Sequence, residues 1–274
     1  MQKLRDYFKS CKGAGRAPCT CLGAVVSDAG VMPCNEDNFL LDGSFRSRGE
    51  RRSSRLLKAS AGQWIVAGVF DGMGGGEGGE LAALSTARIF SGLRQEDPDG
   101  MDAALHRAFL EANRAVTELR RELQVLGTTA TVLVSDGQRF RIYHLGDSRA
   151  WLCRGDAFRQ LTRDQTLARM RLDAGVYEAD SPGFRADAHR LTDYVGRDWT
   201  LEHLAPTRTP WTPLEPGDRF LLCSDGVYGV CTGQQLHGCV SDAASPEAQA
   251  RRLVAGALEQ GSTDNATALV LHFS

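Results

Sequence analysis

The chain has 274 residues, 42% hydrophobic and 24% charged, which supplies enough apolar surface for a full core and excludes disorder as the main state. Its 32 Lys and Arg against 34 Asp and Glu leave a net charge of -2, so the whole-domain basic excess of a dedicated nucleic-acid binder is absent. The longest apolar run, 64–70, falls far short of the ~20 residues of a membrane span, and the opening MQKLRDYFKS has no apolar signal core. The expectation is a cytoplasmic protein, off the membrane, whose 8 cysteines stay reduced. Cys19 and Cys21 lack the spacing of a zinc knuckle and have no matching second pair.

In chain order, the hydrophobic pattern predicts strands at 22–27, 38–42 and 64–70. Two helical stretches follow before 128. In the second, Leu105, Ala108, Phe109, Ala112, Val116, Leu119 and Leu123 recur at three- and four-residue steps and define a core-facing stripe. A second batch of strands is predicted at 128–135, 140–144, 150–154 and 158–161, with later ones at 202–208, 219–223 and 266–273. Ser245, Pro246 and Glu247 read as cap, first-turn proline and acidic first turn of a helix whose Ala250, Leu253, Val254, Ala257 and Leu258 share one face. Two strand batches separated by a helical pair make an α+β protein, with two sheets packed together and covered by helices. With no repeat and no linker, 1–274 reads as one domain, a monomer. Two polar segments interrupt it: a basic insert at 43–62, with Arg46, Arg48, Arg51, Arg52, Arg55 and Lys58 against the single acid Glu50, and a weakly helical excursion at 164–197. Both are expected to flank an active site, because function concentrates on loops fixed by a scaffold.

Acidic residues stand at strand ends in five places: Asn35-Glu36-Asp37, Phe70-Asp71-Gly72, Gly146-Asp147-Ser148, Ser224-Asp225-Gly226 and Asp264-Asn265. One such carboxylate usually just solvates a turn. Five that a folded sheet brings together would repel one another unless a cation sits among them, and oxygen ligands with no His or Cys in any of these segments suit Mg2+ or Mn2+. Gly74, Gly76 and Gly79 satisfy a G-x-G-x-x-G spacing, yet the next strand arrives only near Thr128, too late for a dinucleotide-binding unit, and no Lys-Ser/Thr ends the run as in a phosphate-binding loop. The alternative is that glycine lets the backbone approach a metal.

With Gly127-Thr128-Thr129, Gly146-Asp147-Ser148-Arg149 and the approach Leu214-Glu215-Pro216-Gly217-Asp218 to the Ser-Asp-Gly motif, these ordered segments resemble the PPM/PP2C family of metal-dependent serine/threonine protein phosphatases, in its bacterial branch, over about 20–273. The resemblance implies a four-layer α-β-β-α sandwich with 164–197 as its flap. It implies two Mn2+ or Mg2+ ions, with Asp71 bridging them, the Gly72 carbonyl joining one, Glu36 serving the second, Asp225 and Asp264 the first, and Asp37 holding metal-bound water. Asp147 with Asp225 matches a third-ion position, and Asn265 would support Asp264 from behind. The implied reaction is hydrolysis of phosphoserine and phosphothreonine monoesters by a water bridging the two ions, on phosphoproteins made by a Ser/Thr kinase.

The chain departs from that pattern at Met32, where many members carry a phosphate-gripping Arg. An arginine of 43–62 is the candidate replacement, weighed against a solvated basic loop. Met73 stands where eukaryotic members have His, as in bacterial relatives. His144 is expected to be packed, Cys34 inert and Asp193 on the surface. Two rival readings are a phosphatase-like binding or scaffold module that lost efficient turnover, and another two-metal hydrolase of the His-containing kind.

Overall fold

The computed structural model describes residues 17–75, 77–93, 98–123, 126–198 and 204–274. One antiparallel sheet contains, in spatial order, β11 (Ala157–Gln160), β10 (Arg149–Arg154), β14 (Arg219–Cys223), β15 (Ala266–Phe273), β1 (Cys21–Asp28) and β4 (Arg52–Ala59). The other runs β12 (Thr207–Arg208), β9 (Arg139–Leu145), β8 (Ala130–Ser135), β5 (Ile65–Phe70), β2 (Asn38–Leu41) and β3 (Ser44–Phe45), with β13 (Thr212–Pro213) also on β9. A two-rung ribbon joins β6 (Gly72–Met73) to β7 (Gly127–Thr128).

Three apolar layers hold these sheets. Between them pack Val25, Phe39, Ile65, Val69, Phe220, Leu222, Leu269 and Leu271. On the outer face of the second sheet lie α1 (Glu77–Ser91) and α2 (Pro98–Leu123), meeting Val66, Phe70, Val132 and Val134. On the outer face of the first, α5 (Asp225–Tyr228), α6 (Gly233–Ser241) and α7 (Pro246–Glu259) contribute to a layer with Leu221, Cys223, Ala268 and Val270. The four-layer α-β-β-α order is therefore present. Double coverage explains why β5 is buried at every position: alternate side chains point to opposite faces and both faces are dry. The predicted stripe of α2 enters its layer, with Leu105, Phe109, Ala112 and Val116 at 0% exposure; the Leu123 side chain lies outside the described set. Phe109 stands edge-on to Phe90 at 4.9 Å between centroids, and truncating either ring would cost about 3–5 kcal/mol. Ser245 caps α7 as expected, its hydroxyl accepting from the Ala248 N–H.

Four expectations change. The insert 43–62 is no solvated loop: its second half is β4, which pairs residue for residue with β1 from Cys21 against Ala59 to Asp28 against Arg52. The predicted strand 128–135 breaks at Thr129, between β7 and β8. Of 202–208, only β12 is a strand, and 202–203 lie outside the described residues. The helix α6 was not foreseen, although Thr232 and Gln235 form a reciprocal cap at its start. The excursion 164–197 contains two short helices, α3 (Leu167–Asp173) and α4 (Pro182–Asp187). Among the described residues, no helix is long and apolar enough to cross a membrane.

Candidate active site

Antiparallel register decides where the acids go. Asn38 opens β2 opposite Phe70 at the end of β5, Ala130 opens β8 opposite Leu145 at the end of β9, and Cys223 ends β14 opposite Arg149 and Ala268. Residues 35–37, 71, 147, 225 and 264 therefore collect at one end of the sandwich, contributed by both sheets.

Each acid is fixed by its backbone or by a neutral partner. Asp71 donates its N–H to Thr129 Oγ1 at 2.9 Å, and its carbonyl accepts from the Thr129 N–H at 2.8 Å and Thr128 Oγ1 at 3.0 Å. Its carboxylate is left free to aim. Asp37, 1% exposed, accepts from Ser224 Oγ at 2.7 Å, a bond from one sheet to the other. Asn265 Oδ1 accepts the Glu36 N–H at 2.7 Å while its amide donates to the carbonyls of Ala29 at 3.1 Å and Cys34 at 3.0 Å. Asn265 thus supports Asp264 only through its own N–H, at 2.7 Å from Asp264 Oδ1; its side chain holds the Glu36 loop.

The glycine run has a steric reason. A Cβ on Gly79 would stand 1.8 Å from Glu36 Oε2, and one on Gly72 would stand 2.2 Å from the Gly79 carbonyl oxygen and 2.5 Å from that of Glu36. The Glu36 carboxylate lies directly on the first turn of α1, and only glycine leaves it room.

Burial and charge repulsion act together at this end. Burial pushes Asp37 and Asp71 well above the usual carboxylate range, and the neighbouring acids push further: Asp264 and Asp225 on Asp37, and Asp225, Asp37, Asp147 and Asp264 on Asp71. Asp147 is pushed up to about 7 by burial and then by Asp225 and Asp164; Asp264 rises through burial and Asp225. The arginine acting on Asp147 is otherwise engaged, since Arg149 forks onto Asp164 at 3.0 and 2.6 Å and lies over the Tyr228 ring. Buried carboxylates facing one another fit hard divalent cations, which would hold them ionised. The residues present therefore suit Mg2+ or Mn2+.

One ligand-type residue escaped the sequence. His189, just past α4, places Nδ1 3.2 Å from Asp225 Oδ2, and Asp147, His189 and Asp225 offer ligand atoms within 4.8 Å of one another. The strand-borne acids form an oxygen-only set, and the flap adds a nitrogen beside it. No sequence signal pointed to His189, which is remote from every acidic segment. Bonding to Asp225 raises its pKa.

The arginines of 43–62 find partners within the protein. Arg46 is fully buried; Arg51 donates to the carbonyls of Pro33 and Gly30. Arg52 pairs with Asp28 at 2.8 Å, Arg55 with Glu50 at 3.5 Å and Arg48 with Glu77 at 3.3 Å. The candidate clamp arginines of this insert are thus engaged with carbonyls and acids of the protein, and half-buried Met32 sits in a turn, its N–H on the Ala29 carbonyl at 3.1 Å. His144 is packed, as expected, between Thr131 Oγ1 at 2.9 Å and the Arg163 carbonyl at 3.2 Å, and burial lowers its pKa to about 4. The Cys34 thiol is raised by burial and by Glu36 and Glu80, against a reactive thiolate. Asp193 is half-buried and pairs with Arg197 at 3.1 Å. A cavity of about 830 Å3 lies behind the flap, lined by His144, Arg163, Arg169, Tyr194 and Thr207, away from the strand-end acids.

Comparison with known proteins agrees with this geometry. The chain is 32% identical over 252 residues to the serine/threonine protein phosphatase PstP of Mycobacterium tuberculosis, covering 90% of this chain but only 44% of that one. Among solved structures it is similar to the catalytic domain of PstP in complex with 2 manganese ions, at a TM-score of 0.73 and 28% identity over 93% of this chain and 99% of that one. It is also similar to PppA, described as a key regulatory component of T6SS in Pseudomonas aeruginosa, at a TM-score of 0.77 and 26% identity over 94% and 100% of the two chains. Residues 34–171 match the family described as protein phosphatase 2C, and with its sandwich and its acidic strand ends the chain belongs to that family.

Proposed function

We propose that this chain is a metal-dependent protein phosphatase hydrolysing phosphoserine and phosphothreonine monoesters. The observation that carries the reading is the convergence of carboxylates at one end of the sandwich, with Asp37 and Asp147 buried, Asp71 and Asp225 half-buried and Asp264 exposed, where burial and mutual repulsion displace Asp37, Asp71, Asp147 and Asp264 toward protonation. Such a set is stable in its ionised form only around cations. Glu36, Asp37, Asp71, the Gly72 carbonyl, Asp225 and Asp264 would hold two Mn2+ or Mg2+ ions, with Asp147, Asp225 and His189 available to a third. When bound, such a pair supplies Lewis acidity, lowering the pKa of water and neutralising phosphoryl oxygens for in-line displacement.

The chain's own residues supply positioning. The three hydrogen bonds to the Asp71 backbone fix the root of the carboxylate that both ions would share, and the Ser224 hydroxyl orients Asp37 to hold water. A thiolate nucleophile has no support: burial raises the Cys34 thiol and, far more, that of Cys223. Phosphoproteins of a Ser/Thr kinase are the substrates of this reading, and a cytoplasmic monomer its form.

The test is hydrolysis of a phosphothreonine peptide and of a generic aryl phosphate, with Mn2+ and with EDTA. Turnover that requires Mn2+ supports the proposal. Full activity in metal-free buffer sinks the mechanism, and intact Mn2+ binding without turnover turns the chain into the binding-module alternative.

A further inference from the structure

Arg46 is the largest side chain among the described residues that is fully buried, at 0% exposure. Burying a guanidinium is unfavourable unless its donors find acceptors, and here each of its three nitrogens has at least one. Nε donates to the Asp37 carbonyl at 2.8 Å and Nη2 to the Asn35 carbonyl at 2.6 Å. Nη1 reaches Glu80 Oε1 at 2.9 Å and the carbonyls of Glu50 at 2.8 Å and Ser47 at 3.0 Å. The backbone joins in, since the Arg46 N–H donates to Asn38 Oδ1 at 2.9 Å and its carbonyl accepts from the Asn38 amide at 3.1 Å.

The two carbonyls gripped by the planar fork belong to the residues on either side of Glu36. With the Asn265 amide oxygen on the Glu36 N–H and Asn35 Oδ1 accepting the Asp37 N–H at 3.1 Å, both peptide groups of Glu36 are fixed. Glu80 carries the other half. It follows Gly79, whose missing Cβ makes space for the Glu36 carboxylate, and its Oε1 also accepts from the Gly49 N–H at 2.7 Å. One buried ion pair therefore ties the Glu36 loop to the turn of α1 on which that carboxylate lies.

We propose that Arg46, paired with Glu80, is a positioning residue that sets the direction of the Glu36 carboxylate and so the affinity of the ion Glu36 binds. The proposal rests on Glu36 being a ligand. Only the rigid fork spans two carbonyls and a carboxylate at once; a lysine ammonium is a single point.

The test is calorimetric titration of Mn2+ into metal-free protein, with the metal-free melting temperature measured alongside. Arg46→Lys should bind one ion about 10- to 100-fold more weakly, the effect expected when a group that orients a ligand is lost, with the other ion unchanged. Its Mn2+ concentration for half-activation should rise in step, while kcat recovers toward wild type at saturating Mn2+. The double variant Arg46→Met with Glu80→Met should melt higher than Arg46→Met alone, because no lone buried charge remains, yet stay weak in Mn2+ binding. A purely structural role predicts that affinity returns with stability, and that result overturns the proposal, as does a folded Arg46→Lys that binds both ions at wild-type strength. If the Arg46 variants do not fold, Glu80→Gln decides: several-fold weaker binding of the same ion supports the proposal and unchanged binding overturns it. Glu36→Gln should lose that same ion; if it does not, the ligand assignment fails and the role of Arg46 falls with it.

Discussion

Segments 43–62 and 164–197 look alike in sequence, both polar, arginine-rich excursions from a sandwich, and the fold treats them in opposite ways. The first becomes β3 and β4, with eight rungs on β1 and Arg46 sealed inside. The second becomes two helices of 7 and 6 residues, closed on itself by an isolated bridge at Thr166–Leu191 and joined to the body by one at Thr128–Val195. It is held within itself by an ion-pair cluster of Arg171, Arg190, Tyr177 and Asp187. Composition alone does not decide whether a basic segment is scaffold or surface; a strand partner in register does. The consequence for the site is a division of labour, with the first segment bracing the Glu36 loop from behind and the second meeting the acids from the front through His189.

The largest effect should separate the strand-borne acids from the flap. Asp71→Asn or Asp225→Asn removes charge from the proposed ion cluster, where metal stabilisation of transition-state charge is worth several kcal/mol; kcat on a phosphothreonine peptide should fall by about 1000-fold or more. Asp193→Asn, which removes only a partly exposed pairing with Arg197, should stay within about twofold. Near-wild-type turnover in Asp225→Asn would withdraw its assignment.

Next comes the seam between body and flap, where His144 links β8 to the Arg163 carbonyl. Its pKa falls from 6.5 to about 4 on burial, so the unfolded chain takes up the proton first as pH drops. Stability is complete above pH 6.5 and is lost progressively down to about pH 4, by about 3 kcal/mol in all. Denaturant midpoints of His144→Asn against wild type should converge across that window; parallel curves would show that another group titrates there.

The first segment was hard to read because β4 is an edge strand whose inner face carries Ser53 and Arg55, with Leu57 and Ala59 at its far end packed on the core between the sheets. Alternation there is polar against polar. The central strands β5, β14 and β15 were legible because both faces are dry, and the clustered acids proposed as ligands because each sits beside a turn residue at a strand end. His189, Arg46 and Glu80 were illegible for the opposite reason: their partners lie 36, 9 and 34 residues away in sequence, and only tertiary packing joins them.

Two smaller tests sharpen the comparison. Since the arginines of 43–62 discussed above face carbonyls or acids, Met32→Arg should supply what that segment does not. A charge-assisted Arg–phosphate contact is worth ~1.5–3 kcal/mol, so KM for a phosphopeptide should drop by up to about tenfold with kcat little changed. An unchanged KM would mean that the ions alone hold the phosphate. Last, His189→Ala should weaken any third Mn2+ by several-fold in a titration while leaving the two tighter ions as they were; loss of a tight ion instead would place His189 in the main cluster.

The pairing of β1 with β15 sets an order of events during synthesis. Thr20 and Ser274 exchange backbone hydrogen bonds at 2.8 and 3.1 Å, and Glu36 receives its Asn265 support from 229 residues downstream. Closing so long a loop is slow compared with forming the local hairpins β8–β9 and β10–β11. A nascent chain therefore carries Glu36, Asp37 and Asp71 early but lacks Asp264 and Asn265 until the last strand leaves the ribosome. The carboxylate set is complete only when β15 has joined the first sheet, so the proposed ion site assembles late and a chain truncated before β15 lacks it.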